Sequence, residues 1–360
     1  MYLEEPAGET SAGKPDAAGN GGLPLPRIGK KTLIAALVCA GLSVLLMQTA
    51  GLVTFFFLVP LGVCALVFGP AAAWLGAVLA ALGNCLWSAV VTLPSGGLTN
   101  VGLDTLYFAV LTLGFTWVMA GSPPWPALPP VRTAVRFIAA SAAGALVFLA
   151  VIFSLGNDEA FSAVLRAQIE TIASSYIAAS GMDAAQQAYM EQTLTADRVI
   201  EIFSMVILRG GALFSALFLM FFNRQMAFAL ARLFRWKGGN VHDLISFHVP
   251  RKAIWVLSLC LPVILLCRII SLGMIEIAAW NVLVMCATMF LAQGGGIVLF
   301  NLARRPMSML MRFIGMALFV CVVFSPGINV LALTMLILLG IAENWLPLRV
   351  VRQGTPGIDG

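Results

Sequence analysis

The sequence predicts an all-α integral membrane protein: a helical bundle of about ten transmembrane spans, with one amphipathic helical interval on its outer side. Three observations carry that reading. Of 360 residues, 60% are hydrophobic and only 10% charged, and the mean hydropathy is +0.97. A soluble domain carries roughly 25% charged residues, so most of this chain's surface faces lipid. Apolar stretches of about 20 residues, enough to cross a hydrocarbon core of about 30 Å, follow one another with short joints. The basic residues sort to alternate joints, the positive-inside pattern.

Residues 1–29 are a polar, Gly/Ala/Pro-rich tail without the apolar core of a signal peptide, expected to be disordered and cytoplasmic. Arg27, Lys30 and Lys31 introduce span one, 32–50. Span two (52–69) and span three (71–92) follow tight joints at Gly51 and at Gly69-Pro70, residues suited to sharp helix ends. Span four (101–120) leads into a proline-rich loop, and Arg132 and Arg136 open span five, 133–155. Spans six (199–222), seven (253–272) and eight (277–300) are separated by a basic loop at 223–252 and a short turn. Arg304, Arg305 and Arg312 introduce span nine (307–324). Ser325-Pro326-Gly327 breaks the run before span ten, 328–342.

The domains are thus a membrane bundle over 30–222, the cytoplasmic loop 223–252, a second bundle over 253–346 and a cytoplasmic tail over 347–360. With the N-terminus inside, 17 of the 21 Lys and Arg residues fall on the cytoplasmic side, against Arg166 and Arg198 outside. Arg209 and Arg268 lie within spans. A re-entrant segment among the first three spans would put the basic N-terminal cluster outside, which favours ten crossings and two cytoplasmic termini.

The interval 156–198 is acidic, with Asp158, Glu159, Glu170, Asp183, Glu191 and Asp197 against two arginines. Phe161, Leu165, Ile169, Ile172 and Tyr176 recur at helical spacing. Asn157 or Asp158 can cap that helix, Ser180-Gly181 can end it, and a second short helix begins near Asp183. Two readings stay open: a helix lying on the membrane surface or the bundle, or a lid over an outward cavity. Small residues at Ala72, Gly76 and Ala80, at Ala73, Ala77 and Ala81, at Ala140 and Gly144, and at Ala36 and Ala40 form faces for close helix packing. They serve either internal packing or docking of partner membrane subunits.

All seven cysteines lie in apolar stretches without a CxxC pair, as small buried hydrophobes do. His242 and His248 share one polar loop without the acids or cysteines of a metal site. No HExxH, P-loop or GxSxG pattern occurs. The expectation is therefore no cofactor, no metal, no nucleic-acid partner and no catalytic nucleophile–base pair.

Ionisable groups inside spans are costly, by about 2.5–3.5 kcal/mol each on insertion scales, and point to function. Arg209 lies mid-span, followed by Gly210-Gly211. Glu201 is eight residues away, a long reach along one helix, so a partner on another helix, or water, is expected. Asp104 opens span four, Arg268 ends span seven, Glu276 opens span eight, and Asn84 adds an amide deep in span three. Together Arg209, Asp104, Glu201, Arg268, Glu276 and Asn84 are the candidate ligand-binding set, an outward-opening polar pocket for a small anionic ligand. Interfacial snorkelling or structural pairing is the alternative. Gln293-Gly294-Gly295-Gly296 in span eight predicts a tight crossing, a kink or a local unwinding.

The stretch Leu338-Leu339-Gly340-Ile341-Ala342-Glu343-Asn344-Trp345-Leu346-Pro347-Leu348-Arg349 resembles the end of the YybS-like family of uncharacterised bacterial membrane proteins. Phe247-His248-Val249-Pro250 is similar to that family's loop. The resemblance covers roughly 30 to 350. The N-terminal half of that family is similar to the substrate-binding subunits of energy-coupling-factor transporters, and the similar stretch here runs from Leu61-Gly62 to Gly76-Ala77. The resemblance implies a bacterial cytoplasmic membrane protein with an outward-facing small-molecule pocket, although the extra spans depart from such subunits. Two functions are expected on this basis: a transport-related, small-molecule-binding membrane subunit, or a non-catalytic scaffold in cell-envelope assembly or morphogenesis.

Overall fold

The computed structural model describes residues 29–49, 51–92, 98–121, 133–234, 236, 247–270, 273–304, 328–346 and 348–349, with isolated positions between 305 and 327. The expected N-terminal tail, proline-rich loop, most of span nine, His242 and the C-terminal tail beyond Arg349 lie outside these residues.

The described elements are helical, with no strand among them. In order they are α1 (Lys30–Gln48), a 3₁₀ segment (Gly51–Phe56), α2 (Val59–Phe68), α3 (Pro70–Thr92), α4 (Leu98–Ala120) and α5 (Thr133–Gly156). Then come α6 (Glu159–Ala179), α7 (Ala184–Thr193), α8 (Ala196–Val206), a π-helical turn (Ile207–Gly211) and α9 (Ala212–Leu233). The last three are α10 (Lys252–Ile269), α11 (Met274–Arg304) and α12 (Ile328–Ala342).

Among the described residues, eight helical segments are long and apolar enough to cross a bilayer, which makes the chain a multi-pass membrane protein. The expected count of about ten is met for these eight among the described residues. Most of span nine lies outside the described residues, and α12 has 15 residues, short of the roughly 20 that cross a bilayer unaided. Span six is longer than expected, running 38 residues from Ala196 to Leu233.

The first bundle packs α3 against α1 and α4, α4 against α5, and α5 against α9, with α2 set among α1, α3, α4 and α9. Its core holds Phe57, Leu58, Phe108, Leu111, Phe115, Val118 and Met220. The small faces are consumed here: Ala36, Ala72, Ala73, Ala77 and Ala80 are fully buried, and Gly76 lies against the Ala36 backbone. Lipid provides no hydrophobic force between helices, so close van der Waals contact does this work.

The start of span two is not α-helical, and buried polar side chains compensate. Ser43 Oγ donates to the Phe57 carbonyl, and Asn223 Nδ2 donates to the Phe55 carbonyl at 2.7 Å and to Leu219 O at 2.8 Å. Irregular backbone at membrane depth persists only where protein satisfies its polar groups. Both side chains are fully buried.

The second unit is built on α11, which packs against α10 and α12 and meets the first bundle at the π-helical turn and α9. A second apolar cluster (Ala145, Ile207, Ala212, Leu213, Ala216 and Leu217) spans that seam, with Met285 of α11 against it.

The interval 156–198 forms α6 and α7 as expected. The Asp158 carboxylate accepts from the Ala160 and Phe161 amides, and Asp183 accepts from Gln186 N. The buried face of α6 is rotated from the expected one. Leu165, Ile169, Ala173 and Ile177 turn inward, while Phe161, Ile172 and Tyr176 are exposed. The contact line follows α8, to which an exposed Arg166–Asp197 pair at 3.0 Å ties the helix.

Candidate functional site

Span six breaks at its middle. Arg209 (φ −82°, ψ 25°) and Gly210 (φ 117°, ψ −8°) leave helical geometry inside the π-helical turn. Gly210 is required there twice over. Its positive φ costs an L-residue about 1–2 kcal/mol, and a Cβ would meet Val284 Cγ2 at 2.6 Å. The Leu208 carbonyl, directed toward α11, accepts from Asn281 Nδ2 at 2.7 Å. π-turns of this kind concentrate at functional sites.

The break aims Arg209 at α11. Its Nη2 lies 2.9 Å from Glu276 Oε1, with side-chain exposures of 29% and 15%. The partner expected on another helix is therefore Glu276, a member of the predicted set. The contact with Glu276 uses one of five guanidinium donors, so the remaining N–H groups can serve a ligand. Beside the pair is a cavity of about 500 Å³, within the range of small-molecule sites. It is lined by Met205, Val206, Arg209, Gly210, Gly211 and Phe214 from span six, by Trp280, Val284, Ala287, Thr288 and Leu291 from α11, and by Leu333 and Ile337 from α12. The Trp280 Nε1 atom is buried and has no hydrogen-bond partner among the described residues. The Thr288 hydroxyl is already spent on the Val284 carbonyl at 2.8 Å.

Asp104 and Asn84 form a second, separate cluster inside the first bundle. Gln48 Nε2 donates to Asn84 Oδ1 (2.9 Å), Asn84 Nδ2 to Asp104 Oδ2 (3.1 Å), and Ser88 Oγ to Asp104 Oδ2 (2.7 Å). Asn84 is fully buried. No hydrogen bond or ion pair among the described residues joins this chain to Arg209. The single pocket expected from the six residues is thus two clusters. Asp104 faces α3, whereas the break in span six turns Arg209 toward α11. Glu201 and Arg268 join neither. Both are exposed, on α8 and at the end of α10.

A third cluster was not expected. Glu343 Oε1 lies 2.8 Å from Arg349 Nε, with side-chain exposures of 4% and 8%. Gln293 Nε2 donates to Glu343 Oε2 (2.8 Å), the Val249 amide donates to Gln293 Oε1 (2.7 Å), and Arg349 Nη2 donates to the Gln293 carbonyl (3.0 Å). His248 Nε2 is 3.8 Å from Glu343 Oε1. The segments 247–250 and 338–349 meet here, about 25 Å along α11 from Glu276. The spacing of Glu343 and Arg349 gave no sign of pairing, because the chain leaves the helix at Ala342 and folds back.

Gln293-Gly294-Gly295-Gly296 is a tight crossing, since α11 runs unbroken from Met274 to Arg304. Among the described residues, no three His, Cys, Asp or Glu side chains gather as a metal site. No family model matches the chain, and no curated protein or solved structure matches it.

Proposed function

We propose that this membrane protein is a transport-related, small-molecule-binding subunit whose ligand sits in the cavity beside Arg209. One observation carries the reading: a partly spent guanidinium, at the break of a membrane helix, borders a cavity large enough for a ligand. Discontinuous membrane helices recur at the substrate sites of transporters. Arg209, Glu276 and Trp280 are the binding residues in this proposal. Asp104 and Asn84 belong to a separate polar network, and Glu201 and Arg268 have no place in it. The anionic ligand expected from Arg209 alone gives way to a polar, uncharged one, because Glu276 already neutralises the guanidinium. Thermal unfolding of the purified protein against a broad set of metabolites and lipids tests the idea. A stabilising compound whose effect disappears in Arg209→Ala supports it, and the absence of any such compound sinks it.

The placement is a bacterial cytoplasmic membrane with both termini inside, in the YybS-like family. Sorting of Lys and Arg supports the orientation, and the family assignment rests on the resemblance of residues 247–250 and 338–349 alone. Impermeant maleimide on intact cells should modify Ala185→Cys and spare Asn240→Cys. The reverse pattern would invert the topology.

The scaffold reading has its own observation, the exposed apolar stripe of Phe161, Ile172 and Tyr176 on α6. It predicts co-purification of a membrane partner that Ile172→Glu abolishes, with no effect of Arg209→Ala on that partner.

A further inference from the structure

We infer that the cavity takes a single-chain amphiphile with an uncharged, hydrogen-bonding headgroup, admitted sideways from the bilayer. The head lies at the Arg209–Glu276 end and the tail runs along α11. This rests on the binding site proposed above and names its ligand class.

The first argument is the order of side chains along α11. Glu276, Trp280, Val284, Ala287 and Leu291 recur at steps of four, four, three and four, so they share one helical face. From Glu276 to Leu291 that face is about 22 Å long. Its polar groups stand at one end only: Glu276, the Arg209 that pairs with it, and Trp280. Beyond Trp280 the walls are Val284, Ala287, Leu291, Leu333 and Ile337, and the one hydroxyl among them, on Thr288, is committed to its own helix. A cavity with a polar end and a long apolar end matches a molecule with the same division.

The headgroup follows from the hydrogen-bond inventory. Trp280 Nε1 is a buried donor without a partner among the described residues, and Arg209 has N–H groups beyond the one facing Glu276. A buried unsatisfied donor is costly, so an acceptor belongs opposite it. Glu276 remains an acceptor beside them. Hydroxyl and ester groups on one head satisfy both kinds. The Arg209–Glu276 pair has no net charge, so a carboxylate or phosphate head would bring an uncompensated negative charge into an apolar site.

The route follows from exposure. Met205, Val206, Leu208 and Phe214, which flank or line the cavity at the break in span six, are exposed apolar side chains. On a membrane span such side chains face acyl chains. A water-soluble ligand would have to cross that apolar rim, whereas a lipid is already in it.

Photolabelling of the full-length protein in phosphatidylcholine nanodiscs tests the inference. The probe is a monoacylglycerol with a diazirine near the end of its chain. Cross-links should map to Val284–Leu291 and Leu333–Ile337, and excess monooleoylglycerol should suppress them while oleate does not. Ala287→Phe, which fills the apolar half, should abolish the cross-links and leave the protein folded. Arg209→Gln should weaken monooleoylglycerol competition about tenfold, the worth of one hydrogen bond. Labelling spread evenly over outward-facing Leu259 and Leu265, or unchanged in Ala287→Phe, overturns the site. Oleate competing as well as monooleoylglycerol overturns the headgroup. If a water-soluble compound stabilises the protein through Arg209 and the probe does not label, the binding proposal stands and the amphiphile falls. If neither binds, both fall.

Discussion

Gly294 and Gly340 lie against each other where α11 and α12 cross. A Cβ on Gly294 would run into the Leu336 carbonyl, and one on Gly340 into the Phe290 carbonyl. These obstacles are backbone, not the ends of flexible side chains, so they cannot step aside. Gly294→Ala or Gly340→Ala should destabilise the protein by about 1–3 kcal/mol or more, read as a lowered thermal midpoint. Gly295 is the internal control. Nothing lies within 4 Å of a Cβ built there, so Gly295→Ala should be neutral or stabilising by up to about 1 kcal/mol. Equal effects at 294 and 295 would rule out the crossing.

The Arg209–Glu276 pair should behave as a unit. Glu276→Ala strands a guanidinium in an apolar seam, and Arg209→Ala strands a carboxylate. Replacing both by leucine removes the charges together. The double variant should therefore be more stable than the sum of the single losses allows, by about 0.5–3 kcal/mol of coupling. Additive losses in a thermal or denaturant series would mean the groups do not interact.

Asp104 holds Asn84 and Ser88 by hydrogen bonds that an amide can partly keep. Asp104→Asn should cost little. Asp104→Ala leaves a fully buried Asn84 donor and the Ser88 hydroxyl without their acceptor, at about 1–3 kcal/mol. The reverse ranking of their thermal midpoints would show that the charge, not the hydrogen bonding, is what this cluster needs.

Arg349 carries two duties, the contact with Glu343 and a hydrogen bond to the Gln293 carbonyl. Arg349→Ala should cost about 3–5 kcal/mol, because it leaves Glu343 buried and unpaired. Arg349→Lys should rescue only in part, since an ammonium lacks the planar fork that reaches both groups. Full rescue by lysine would reduce the site to simple charge neutralisation.

Hydropathy made the membrane helices legible, because length and apolar content alone decide what can cross a bilayer. Asp158 and Asp183 made the starts of α6 and α7 legible, since capping is local. The tight crossing at Gly294 was among the forms its three glycines allowed. The partner of Arg209 could be narrowed to another helix or water, and Glu276 was in the candidate set. What could not be read is which face each helix turns inward. Asp104 and Arg209 sit on different seams because span six breaks at Arg209–Gly210, and only the fold sets the direction of that break. Tyr176 is exposed for the same reason: one residue of helical drift exchanges it with Ile177. The Gln293–Glu343–Arg349 cluster joins segments 44 to 56 residues apart, through a turn that no periodicity announces.

The Val249 amide, Gln293, Glu343 and Arg349 tie the lead-in to α10, the middle of α11 and the segment after α12 into one knot. Cleavage or truncation between Ala342 and Arg349 would remove a countercharge from the interior, not trim a dispensable end. Expression designs that shorten this region should retain Arg349, and a cut there would separate Glu343 from its countercharge and weaken the second helical unit.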